Sequence, residues 1–439
     1  MQNIPPSEVR KILGEHMLTD GYDIVLDLNK SQGAYLHDSQ AGKKYLDFFT
    51  FFASNPIGMN HPKMLTAQFM DRIARTAVNK PSNSDVYTEE LASCVKTFSR
   101  VAIPDYLPHL FFVSGGALAV ENCMKAAFDW KVRKNFENGI KDEKGHQIIH
   151  FRNAFHGRSG YTLSVTNTDP AKTDYFTKFN WPRIPEPYLT FPLTDQAIRD
   201  AEKREKESID MIHKAIKDNP DDIAAILIEP IQGEGGDNFF RKEFFQALRT
   251  ICDESEIMLI FDEVQTGMGL TGKMWCHQHY DVKPDLMAFG KKTQVCGILG
   301  SQRLDEVTDN VFHVSSRINS TFGGNLVDMV RLEKFLEIIE EENLVENARI
   351  KGEYLLAGLS NLEQQFNDKI SNVRGLGLFC AFDMPSTDMR NTVVSNAWNN
   401  GMIVLGCGTK SIRCRPRLNV TEDEIDEAMK IFYLSLKDV

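Results

Sequence analysis

The sequence predicts an α/β fold, a large and mostly parallel sheet with helices on both faces, followed by a smaller α+β region. Three observations carry this. Ile223–Ile228 and Ile257–Phe261 are short, wholly apolar runs that end in acids, at Glu229 and at Asp262-Glu263. Strands buried on both faces of a parallel sheet read this way. Before and between them, apolar runs alternate with segments of helical spacing, the pattern of βαβ units. From about residue 330 the texture changes to long helices and short strands.

At 439 residues the chain is too long for one small core. Its 42% hydrophobic and 25% charged content is that of an ordinary globular protein. A net charge of −11 argues against nucleic acid or an anionic membrane as partner. No apolar run approaches the roughly 18 residues that span a bilayer. Met1–Pro6 lacks the basic and apolar regions of a secretory signal. None of the eight cysteines forms a C-x-x-C pair, which suits reduced thiols in a cytoplasmic protein. His277 and His279 could be half a metal site, but no second ligand pair lies nearby, so no metal is expected.

Taken in order, the chain opens with a short helix capped at Ser7. Asp23–Asp27, Ala34–His37 and Lys44–Phe48 read as short strands. Phe48–Pro62 is aromatic and then loop-like, either a core strand with a turn or a wall of a substrate pocket. Residues 64–100 carry helical spacing. Leu110–Val113 is a strand, Ser114–Ala117 a turn of small residues, and Ala119–Trp130 a helix. Such a turn offers N–H groups to a phosphate, although a plain βα turn looks the same. Neither a Walker lysine nor G-x-G-x-x-G is present. Gln147–Phe151 is a strand ending in Arg152–Arg158, which carries an aromatic, a histidine and an arginine. Residues 166–196 read as a surface excursion and Asp195–Lys217 as a charged helix. Strand Ile223–Ile228 leads to a glycine-rich loop with Glu234. Helix 242–254 leads to the strand that ends at Asp262, and ligands of open α/β sheets lie at such ends.

Residues 319–325 form a polar, glycine-rich turn before helix 326–341, which runs on into 345–367. Val373–Phe382 alternates like a strand with one exposed face. A helix over 388–400 precedes strands at Met402–Leu405 and Ile412–Arg417. Thr421–Glu424 is a capping box for the last helix. The expected division is an N-terminal segment 1–60 belonging to the small domain, a large domain 61–325, and a C-terminal small domain 326–439.

Four motifs stand at strand ends or turns: F-F-V-S-G-G-A-L-A-V-E-N at 111–122, F-H-G-R-S-G-Y at 155–161, F-D-E-V-Q-T-G at 261–267 and F-G-K-K-T-Q-V-C-G at 289–297. In this order they resemble the fold type I pyridoxal-phosphate transferases, and among these the class III (ω-amino) aminotransferases. The likeness covers nearly the whole chain. It implies a seven-stranded-type sheet, pyridoxal 5'-phosphate as cofactor, and a homodimer with shared sites.

The resemblance also implies roles. The family lysine follows a small residue, 29 positions after an aspartate, which selects Lys291 over Lys292. It would bond the cofactor aldehyde and, once freed, move a proton. Asp262 matches the carboxylate that keeps the ring nitrogen charged. Gln265 matches the partner of the ring hydroxyl, Phe155 the stacking ring, and Gly116 and Ala117 the phosphate turn. Ser320 and Thr321, with Asn319 beside them near the substrate, match the turn that reaches the phosphate of the neighbouring subunit. Arg158 matches the group for the substrate's distant carboxylate. Arg413 matches the one for the carboxylate next to a reacting keto carbon, and Glu234 its pairing acid, which swings away when the keto acid arrives.

L-lysine as donor and 2-oxoglutarate as acceptor follow from likeness only, K-K-T-Q-V-C-G resembling the lysine-using members. Ornithine, acetylornithine and 4-aminobutyrate stay open as donors. A decarboxylase, racemase or aminomutase could use the same aspartate and lysine, but Glu234 with Arg413 speaks for two alternating substrates. A nicotinamide oxidoreductase lacks its glycine fingerprint here. A non-catalytic binding protein would be expected to have lost the lysine or the aspartate.

Overall fold

Strand Met258–Asp262 is the middle strand of a seven-stranded sheet. The order across it is His109–Val113, Cys296–Gly300, Leu286–Phe289, Met258–Asp262, Ile223–Ile228, Gln147–Phe151 and Arg183–Ile184. Cys296–Gly300 runs antiparallel to both its neighbours, and the other pairings are parallel. The computed structural model describes residues 4–439; Met1–Asn3, the start of the stretch read as lacking a signal, lie outside the described residues.

Alternate residues of the central strands enter two different cores, which is why their sequences are apolar throughout. Leu259 and Phe261 pack with Ile226, Ile228, Phe244 and Phe245 on one face. Met258 and Ile260 pack with Ala225 and Leu227 on the other, under Val120, Cys123 and Ala127 of helix Gly116–Glu137. Each fully buried side chain of this size is worth about 1.5–3 kcal/mol relative to exposure.

A second sheet, Ser371–Leu376, Phe379–Asp383, Ser411–Cys414 and Leu405–Cys407 in that order, is antiparallel and belongs to a separate C-terminal domain. A third sheet joins the two ends of the chain. Lys44–Asp47 pairs antiparallel with Tyr35–His37 and parallel with Met402–Ile403. The final helix, Glu422–Lys437, has its capping box: Thr421 Oγ1 accepts from the Glu424 N–H, and Glu424 accepts from the Thr421 N–H at 3.0 Å. No helix among the described residues is long and apolar enough to cross a membrane.

Several expectations need correction. The helix over 326–367 is two helices, Leu326–Glu341 and Leu344–Gln365, broken at Asn343, whose φ is 51°. Val373–Phe382 is a hairpin turning at Gly377, and its second strand is buried along its whole length. Met402–Leu405 divides between two sheets. Asp23–Asp27 contributes only a bridge from Leu26 to Asp38. The first helix starts at Pro6, ahead of Ser7, with proline supplying the fixed φ of a first turn. Arg183–Ile184, inside the expected excursion, forms the sheet edge.

Leu286–Phe289 and Cys296–Gly300 were not expected as strands. They pair as a hairpin with Phe289 opposite Gly297, and the two lysines sit in its turn. Gly297 is required by the packing. A Cβ there would lie 2.4 Å from the Phe111 carbonyl oxygen and 2.5 Å from the Phe289 ring. Gly297→Ala should therefore lower stability by about 1–3 kcal/mol, the usual cost of overpacking. Thermal unfolding measures this. Gly21→Ala, where nothing lies within 4 Å, should leave the transition unchanged.

Candidate active site

A cavity of about 500 Å³ is lined by Gly116, Ala117, Phe155, Asp262, Gln265 and Lys291. These stand at or just beyond the carboxyl ends of four strands of the large sheet. Ser54, His156, Glu229, Glu234, Gln294 and Cys296 also line it.

The adjacent lysines have different environments. Lys292 is 2% exposed, and its ammonium donates to the carbonyls of Gln265 at 2.7 Å and Ala53 at 3.2 Å. Lys291 adopts the left-handed region, with φ 52°, and lines the cavity. Burial lowers the Lys291 pKa to about 8, helped by the Arg413 cation and opposed by Asp262.

Asp262 is buried at the carboxyl end of its strand. One carboxylate oxygen accepts from the Val264 N–H at 3.0 Å, and the other lies 2.8 Å from His156 Nδ1. Glu229, also buried, accepts from the N–H groups of Phe155 at 2.9 Å and Gly233 at 3.0 Å. Burial raises Glu229 to about 7; His156 opposes the rise and Asp262 adds to it. Gln265 is held by Arg415, whose Nε and Nη2 both lie 3.2 Å from its Oε1. Arg415 is itself paired with buried Asp237 at 2.6 Å.

Glu234 is clasped by two cations. Arg413 Nη2 lies 2.9 Å from one oxygen and Lys172 Nζ 2.6 Å from the other. Burial pushes its pKa up, but Arg413 and Lys172 outweigh that and the net shift is downward. Arg413 is buried, yet its Nε and Nη1 have no partner among the described residues.

The structure thus gathers Gly116, Ala117, Phe155, Asp262, Gln265, Lys291 and Glu234 around one space, with Arg413 behind Glu234. It does not bring in the rest. Arg158, Asn319 and Thr321 are exposed and Ser320 is half-buried, and all four lie outside the lining. The Ser320 carbonyl accepts from Ser84 Oγ at 2.6 Å, and the Thr321 carbonyl from Ser82 Oγ. Sequence reasoning gave no role to Glu229, Lys172, Gln294 or Arg415, and took His156 only as one of three side chains at a strand end that could meet a ligand. Glu229 was visible only as an acid at a strand end. Glu263 bonds Thr266, Cys276 and His277 rather than facing the cavity, so His277 is engaged within the protein.

The aminotransferase class-III family matches residues 18–436. The chain belongs to this family. An L-lysine-epsilon aminotransferase of Mycobacterium tuberculosis is 52% identical over 97% of this chain and 94% of its own length. Human mitochondrial 4-aminobutyrate aminotransferase is 31% identical over 93% of this chain and 84% of its own. A solved lysine aminotransferase from M. tuberculosis superposes with a TM-score of 0.97 at 51% identity, covering 99% of this chain and all of that one.

Class III aminotransferases use pyridoxal 5'-phosphate, and the residues present fit it. Gly115, at φ 112°, has open space where a Cβ would stand, and it leads into the N-terminus of a 22-residue helix, which favours a phosphate. A buried carboxylate, an aromatic ring and a lysine amine of lowered pKa line the same cavity. In cofactor-free protein, Lys291 should begin to react with amine-directed reagents as pH rises through about 8, while Lys292 stays protected by its two carbonyls. Reductive methylation at stepped pH, read by peptide mass spectrometry, tests this. Earlier labelling of Lys292 would reverse the assignment.

Proposed function

We propose that this transaminase moves the ε-amino group of L-lysine to 2-oxoglutarate, giving L-2-aminoadipate 6-semialdehyde and L-glutamate in alternating half-reactions. The observation that carries the alternation is the Glu234–Arg413 pair beside the cavity that holds Lys291. The choice of L-lysine is supported by the 52% identity to an L-lysine-epsilon aminotransferase against 31% to a 4-aminobutyrate aminotransferase.

Pyridoxal phosphate supplies an aldehyde for the amine and a ring that takes up the electron pair left when a proton departs. The protein does the rest. Gly116 and Ala117 would hold the phosphate at the helix N-terminus, Phe155 would cover a ring face, and Gln265, fixed by Arg415, would bond the ring hydroxyl. Asp262 offers its carboxylate to a protonated ring nitrogen. Lys291 Nζ, with its pKa near 8, is partly unprotonated near neutral pH, so it can bond the aldehyde and later take and return the proton.

The two substrates place their carboxylates differently. L-lysine reacts at its terminal amine, so its carboxylate lies far off, where Arg158 and Asn319 receive it. Its methylene chain then passes Arg413, which Glu234 neutralises. 2-Oxoglutarate has a carboxylate next to the reacting carbon, and this needs Arg413 with Glu234 withdrawn. The Nε and Nη1 nitrogens of Arg413, which have no partner while Glu234 covers it, would then have one. In the same reading the chain acts in the cytoplasm as a homodimer, Ser320 and Thr321 completing the partner's phosphate site. Its domains divide near residues 60 and 325, the N-terminal segment joining the small domain.

Two measurements test this. Among L-lysine, ornithine, acetylornithine and 4-aminobutyrate, L-lysine should bleach the yellow cofactor fastest; faster bleaching by another amine overturns the substrate. Glu234→Gln should slow the L-lysine half-reaction about tenfold, the worth of one charge-assisted bond. It should spare the 2-oxoglutarate half-reaction, because Arg413 is then left open. Equal effects on both would sink the alternation.

A further inference from the structure

Glu234 can withdraw from Arg413 only if its carboxylate has somewhere to go. The group is half-buried, and an unpaired charge there is costly. Lys172 meets this need. Its ammonium holds the Glu234 oxygen that Arg413 does not, at 2.6 Å. The same ammonium stands 5.5 Å from the centre of the Phe155 ring, at the edge of the cavity.

The base of this side chain is fixed. Lys172 closes a short 3-10 turn, Pro170–Lys172, capped by Asp169, whose side chain accepts from the Ala171 N–H at 3.0 Å. The next residue, Thr173, is buried and donates its N–H to the Pro170 carbonyl at 3.0 Å. The lysine stem is flexible and a quarter exposed, so the ammonium can follow a moving carboxylate while its backbone stays in place.

We propose that Lys172 is a positioning residue, the pivot on which Glu234 turns between its two states. With Arg413 engaged, Glu234 has two cationic partners. When a keto acid takes Arg413, Glu234 keeps Lys172 as its one remaining partner, so the open state depends on Lys172 more than the closed state does. Lys172 thereby sets the balance between the amine donor and the keto acid. On the two-substrate reading, which this rests on, its loss acts in the opposite sense to loss of the Glu234 charge.

The experiment compares Lys172→Met, Lys172→Arg and Glu234→Gln as cofactor-loaded enzymes, with each half-reaction followed separately by cofactor absorbance. Lys172→Met should reduce the specificity constant of the 2-oxoglutarate half-reaction about tenfold, with a much smaller effect on the L-lysine half-reaction. Lys172→Arg, which keeps the charge, should recover most of the loss. Thermal unfolding should stay near the wild-type midpoint, since Glu234 keeps Arg413 as partner and the turn is held by its own backbone bonds. Equal losses in both half-reactions, a loss confined to L-lysine, no change, or no recovery by arginine would each overturn the pivot. If Glu234→Gln splits the half-reactions as stated and Lys172→Met does not, the pivot alone fails. If Glu234→Gln affects both equally, the two-substrate reading fails and the pivot with it.

Discussion

Two neighbouring ammonium groups must both leave bulk water, and the site depends on how the chain separates them. Lys291 is in the left-handed region, which turns the backbone between the two side chains. Lys292 then points into the protein, where the Gln265 and Ala53 carbonyls accept its hydrogen bonds. The Ala53 carbonyl is in reach because Thr50–Ala53 is itself a left-handed turn, with φ of 42°, 52°, 60° and 63°. Such a conformation costs roughly 1–2 kcal/mol per residue without glycine. Its surroundings hold it there. Asp47 accepts from the N–H groups of Phe49 and Thr50, Thr50 Oγ1 donates to the Arg415 carbonyl at 2.7 Å, and Gln294 donates to the Ser54 carbonyl at 2.7 Å. The strain lies beside the reactive turn, and strain of this kind gathers at functional sites.

The same division of labour recurs in the C-terminal sheet. Arg413 lies in the strand Ser411–Cys414, and Arg415 directly follows its end. Arg415 is tied to Asp237, Gln265 and the carbonyls of Cys380 and Cys414, and it stacks 3.3 Å from the centre of the Phe379 ring. It cannot respond to a ligand. Arg413 has Glu234 and two idle donors. One arginine fixes Gln265, and the other keeps two donor nitrogens unpaired. The C-terminal sheet therefore presents two arginines of opposite character close together in sequence.

These arrangements were unequally legible in the sequence. The central strands could be read because both faces are buried, which makes the runs apolar without interruption. Asp262 and Lys291 could be read because a family spacing links them. The hairpin carrying Lys291 could not, since four apolar residues before Gly290 are as short as many turns. The left-handed turn gave no sign either, because Thr-Phe-Phe-Ala contains no glycine and its conformation is imposed by distant partners. Lys172 and Glu234 are 62 residues apart, and Arg415 and Gln265 are 150 apart. Contacts of that span have no local signature. Only folding gives them meaning, so a lysine in a loop reads as solvated surface.

The charge around Lys291 follows from the same separation. Asp262 has an imidazole for a partner, whereas Glu229 accepts only from two backbone N–H groups. Burial raises Glu229 to about 7, so it is partly protonated near neutral pH. Asp262 and Glu229 both favour a protonated Lys291, but burial and the Arg413 cation outweigh them, and the amine can lose its proton near pH 8. Burial and the surrounding charges thus set the proton affinity of Lys291, while the two backbone carbonyls set the environment of its neighbour.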